Sequence, residues 1–98
     1  MKQAYRELIR HALSQGFKVS VWDGEAWPVK QSIKYGEIVD AIKSVEVAEL
    51  QFRDAEGNKC GWAEVGAYGL DPEETVIDYT VNPWLENWNE RYNHTIGA

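Results

Sequence analysis

Ala48-Glu49-Leu50-Gln51-Phe52-Arg53 alternates apolar and polar side chains without a break. A period of two is what a strand shows when one face is buried and the other wetted. Asp54-Ala55-Glu56-Gly57-Asn58 follows as a polar turn, and residues 59–65 return as the second strand of a hairpin. A sheet wetted on one side needs helices on the other, and the flanking sequence supplies them.

On the N-terminal side, Tyr5, Leu8, Ile9, Ala12 and Leu13 recur at helical spacing, and Gly16 follows as a natural stop. This predicts a helix over residues 2–14. Phe17-Lys18-Val19-Ser20-Val21 then alternates as a strand. Asp23-Gly24 has turn chemistry, so a return strand is expected over residues 25–29, at a sheet edge because Pro28 lacks an N–H. Trp22 and Trp27 flank that turn and are placed to pair across it. Ser32 is the expected cap of a second helix over residues 34–44, whose apolar stripe is Ile38, Ala41, Ile42 and Val45.

On the C-terminal side, Gly66, Tyr68 and Gly69 mark a looser segment. Asp71-Pro72-Glu73-Glu74 has the grammar of a helix start, but the β-branched and aromatic run 75–80 competes with it. One helical turn followed by a short strand reconciles the two. Asn82-Pro83 repeats the cap-and-proline signal, and Trp84, Leu85, Trp88 and Tyr92 line one face of a final helix over residues 83–93. The expected fold is a single small α+β domain over residues 1–98, with an ordered core at about 3–93. Its order is α-β-β-α-β-β-(β)-α, with a mostly antiparallel sheet of four or five strands and the helices packed on one face.

The formal net charge of −6 is unevenly placed. Acids and bases balance through Trp62; beyond it Glu64, Asp71, Glu73, Glu74, Asp78, Glu86 and Glu90 face Arg91 alone. Such a surface disfavours direct nucleic-acid binding, which needs a basic footprint. No apolar run is long enough for a membrane span. The opening residues lead into an amphipathic pattern rather than an apolar signal core, and a single cysteine, Cys60, agrees with a reducing compartment; the expected location is cytoplasmic.

Catalytic signals are thin. The histidines, His11 and His94, are isolated and form no metal-spaced cluster. Residues 54–58 lack the acidic spacing of a calcium loop. Cys60 beside Lys59 is a conceivable nucleophile, but a strand cysteine is ordinarily a small packed side chain. Glu73 and Glu74 with Asp71 are more readily helix-start acids than an acid–base pair. The reading is a non-enzymatic chain without cofactor or metal.

Five tryptophans among 98 residues carry the interaction reading. Plain packing would place Trp62, Trp84 and one of the hairpin tryptophans in the core. The aromatic and acidic remainder is expected to be a contact surface for another protein, because Trp and Tyr are enriched at interface hot spots, and the acids would meet a basic partner. The candidate residues are Trp84, Trp88, Glu73, Glu74, Asp78, Glu86, Trp22 and Trp27. A dimer is allowed but not demanded. Two alternatives stand beside this: an acidic nucleic-acid mimic that inhibits a DNA-binding host protein, and a small ligand-binding or hydrolase domain.

Residues 21–30, VWDGEAWPVK, and 71–80, DPEETVIDYT, resemble segments of small uncharacterised proteins carried by bacteriophages and enterobacterial prophages. The resemblance spans about residues 4–93. It implies a bacterial cytoplasm and an accessory role, and assigns no site residue.

Overall fold

The computed structural model describes residues 3–67 and 70–97, with side chains through Asn93. Tyr68 and Gly69 of the looser segment, the start of the expected first helix and the side chain of His94 lie outside the described residues. The elements are α1 (Ala4–Ser14), β1 (Lys18–Trp22), β2 (Val29–Ser32), α2 (Tyr35–Lys43), β3 (Ala48–Arg53), β4 (Lys59–Val65), a 3₁₀ turn (Pro72–Glu74), β5 (Val76–Tyr79) and α3 (Pro83–Gly97). The fold is α+β. The strands form one sheet in the order β2-β1-β3-β4-β5, every neighbouring pair antiparallel.

Each helix is anchored by the stripe its sequence carries. Tyr5, Leu8, Ile9 and Ala12 of α1 are buried, as are Ile38, Val39 and Ile42 of α2 and Leu85, Trp88 and Tyr92 of α3. They cover one face of the sheet, formed by Val19, Val21, Leu50, Phe52, Ala63 and Val65. Gly16, at φ 83°, ends α1 and turns the chain into β1, with the Phe17 N–H bonded to the Ala12 carbonyl at 3.1 Å. Asn82 caps α3: its Oδ1 accepts from the Leu85 N–H at 3.2 Å, and Pro83 opens the helix. The helix continues to Gly97, beyond the expected stop at 93.

Two expectations at the first hairpin are corrected. The return strand is Val29–Ser32, not residues 25–29. Asp23 holds the intervening loop instead, accepting from the Glu25 and Ala26 N–H groups at 2.8 Å each. These bonds stabilise its carboxylate and lower its pKa, and Pro28 delays the strand by one residue more. Ser32 does not cap α2, because it is still the last residue of β2. The cap position is Lys34, and Ser32 Oγ accepts from the Lys34 N–H at 3.0 Å just ahead of the helix. The edge position expected for this strand is observed.

The acidic turn at Pro72–Glu74 and the short strand after it both form. Among the described residues, no helix is long and apolar enough to cross a membrane.

Candidate functional site

All three helices lie on one side of the sheet, so the other side is uncovered by any described element. Strand register places the residues of that open face in three rows. Trp22, Glu49, Glu64 and Asp78 run across β1, β3, β4 and β5. Ser20, Gln51 and Trp62 form the middle row, and Lys18, Arg53 and Lys59 the last. The face is therefore acidic at one end, basic at the other and aromatic between.

The loop before β2 folds back over this face. Trp27 packs on Trp22 with ring centroids 5.1 Å apart and planes tilted 56°, and Trp27 remains 36% exposed. Gln31, at φ 47°, kinks β2 and donates its N–H to Ser20 Oγ at 2.8 Å, which breaks the ladder beside the loop. Two shallow grooves result, on either side of Trp27. One of about 230 Å³ is lined by Trp22, Trp27, Glu49, Gln51 and Trp62. The other, about 450 Å³, has Lys30, Arg53 and Lys59 along it. The Arg53 guanidinium is steadied by donating to the Gly57 carbonyl at 2.7 Å.

The expected contact surface is thus split by the fold. Trp22, Trp27 and Asp78 share the open face. Trp88 is not on the open face: it is buried at 4% exposure on the helix side of the sheet and meets Tyr79 edge-on at 5.7 Å. Trp84 is half-buried, edge-on to Phe17 and Phe52 at 4.9 Å each, and donates Nε1–H to the Cys60 carbonyl at 2.7 Å. Both are there because the apolar stripe of α3 is the stripe that packs on the sheet. Glu86 lies on α3, and Glu73 and Glu74 on the exposed 3₁₀ turn, away from the open face. Trp62, expected in the core, stands on the open face with Gln51. Its parity was readable: it alternates with Gly61 and Ala63, and their small size leaves room for the α3 side chains.

A third depression, about 300 Å³, lies between α1 and α3, with Arg10, His11, Trp88 and Arg91 along it. His11 donates Nε2–H to the Trp84 carbonyl at 3.2 Å. Burial lowers its pKa, Arg91 lowers it further, and the carbonyl offsets part of the shift. The histidine thus serves to join two helices. Burial, with Asp54 nearby, pushes the Cys60 thiol pKa up, the opposite direction from the one that favours a thiolate. Among the described residues, no group of three His, Cys, Asp or Glu is placed to hold a metal ion.

Comparison with protein-family models, curated proteins and solved structures finds no match for this chain.

Proposed function

We propose that this chain is a non-enzymatic protein-binding module, an accessory protein of phage or prophage type in a bacterial cytoplasm, and that it binds through the open face of its sheet. The observation that supports this is the placement of Trp22, Trp27 and Trp62 on the one sheet face that no helix covers. Large aromatic side chains contribute most when a partner desolvates them, and a rigid sheet holds them with little entropy left to lose on binding. Ranged charges on either side of the aromatics give such a contact register and orientation.

The same face weighs against nucleic acid as the partner, because Glu49, Glu64 and Asp78 repel a phosphate backbone laid along the tryptophans. It weighs equally against nucleic-acid mimicry, since Lys18, Arg53 and Lys59 interrupt the negative field within the span of one strand.

Affinity capture from bacterial lysate tests the reading, with wild type and a Trp22→Ala/Trp62→Ala variant as baits. The wild type should retain a protein that the variant loses while both baits stay folded. Identical captures would count against it.

A further inference from the structure

We propose that the occupant of the open face is a second copy of this chain, docked face to face about a two-fold axis; this deepens the sheet-face reading above and rests on it. The face is complementary to itself. Its acids stand in one row and its bases in another, with Ser20, Gln51 and Trp62 between. No ion pair joins the two rows among the described residues. A two-fold axis in the plane of contact, running across the strands along the middle row, turns the acidic row of one copy over the basic row of the other. An axis along the strands would set acid on acid.

The chosen axis makes specific pairs. Trp62 meets Trp62 of the second copy near the axis. Glu49 faces Arg53 of the second copy, and Glu64 faces Lys59 of the second copy, each pair occurring twice by symmetry. Trp22 faces Lys18 of the second copy in cation–π geometry. Trp27, packed on Trp22 with tilted ring planes and standing between the two grooves, comes against the rim of the second copy's basic groove. Sheets packed in this way keep their strands roughly aligned, as in a sandwich.

The isolated chain also bears a cost that this arrangement relieves. Glu49 stands directly opposite Glu64, and Glu64 opposite Asp78. Like charges at such positions oppose folding, and bases from above neutralise them. The contact is modest in area. Strands about 4.8 Å apart and about five residues long give a face of roughly 20 by 17 Å, about 700 Å² over both copies, which is below the size of stable interfaces and in the range of weak, transient ones. The dimer is accordingly expected to be weak, with a dissociation constant on the order of 100 µM or above, and weaker still as salt rises.

Sedimentation of the purified full chain, from about 1 µM to about 1 mM, tests this. The wild type should pass from monomer to dimer. Lys59→Glu alone and Glu64→Lys alone should each weaken the dimer about tenfold, because each sets like charges opposite one another twice. An equimolar mixture of the two variants should recover a dimer near wild-type strength, since each reversed charge then meets its opposite. Matching melting temperatures show that the variants remain folded. A wild type that stays monomeric, a dimer indifferent to both reversals, or a mixture without recovery would overturn the second-copy proposal. A monomer whose Trp22→Ala/Trp62→Ala variant still loses a captured protein refutes the second copy and leaves the module reading standing. A monomer with identical captures removes both.

Discussion

The side-chain hydroxyl of Thr75 accepts a hydrogen bond from the backbone N–H of Tyr5 at 3.1 Å, seventy residues away in sequence. α1 has no side-chain cap of its own: Gln3 occupies the cap position without such a bond. Thr75, fully buried, supplies the missing acceptor from the turn before β5 and donates its own proton to the Pro72 carbonyl at 2.9 Å. The first helix and the turn before β5 are joined through that hydroxyl.

Thr75→Val keeps the shape and removes the hydroxyl. It should lower stability by about 1–3 kcal/mol, the usual cost of leaving a buried donor unsatisfied. Urea unfolding measures this, and the Tyr5 amide should lose hydrogen-exchange protection. Thr75→Ser should retain that protection.

Gly61 on β4 lies under Trp84. A Cβ at this position would stand 2.9 Å from Trp84 Cζ2 and 3.1 Å from Leu85 Cδ1. Gly61→Ala should therefore destabilise by about 1–3 kcal/mol, as overpacking does. An unchanged denaturation midpoint would show that α3 can lift off β4 freely.

The tryptophans should divide by face. Trp84→Ala removes an indole from between Phe17 and Phe52, and a loss of about 3–5 kcal/mol is expected. Trp62→Ala, on the open face, should cost about 1 kcal/mol or less while impairing binding. Equal losses in thermal unfolding would contradict the assignment of faces.

His11 links stability to pH. Its pKa is lowered in the folded chain, first by burial, so the unfolded chain takes up a proton at higher pH than the folded one. Stability from this group is complete well above the unfolded value of about 6.5 and declines as pH falls below it toward the folded pKa. The melting temperature should drop between about pH 7.5 and about pH 5.5, and His11→Gln should flatten that drop. An identical slope in the variant would assign the dependence to other groups.

Local chemistry made most of the elements legible. The alternation at 48–53, the stripe at Tyr5, Leu8, Ile9 and Ala12, and the Asn82-Pro83 start each declare one periodicity, and the strand or helix formed at each. Where a local signal failed, a neighbouring interaction outweighed it. Asp23-Gly24 promised a tight hairpin, but the two N–H groups bonded to Asp23, together with Pro28, made a loop that carries Trp27 over the sheet.

The candidate site was only half legible for a different reason. Sequence by itself determined that Trp84, Leu85, Trp88 and Tyr92 share one helix face, and that Trp62 alternates with Gly61 and Ala63. Periodicity sorts side chains into faces, because backbone geometry is local. It does not say which face meets another layer. Only the tertiary structure decided that α1, α2 and α3 all lie on the same side of the sheet. That placement buried the helix tryptophans, left those of the sheet uncovered, and brought β1 between β2 and β3, so that charges distant in sequence fell into rows. Strand order and layer choice arise from long-range packing, in which every element must bury its apolar face against another at once.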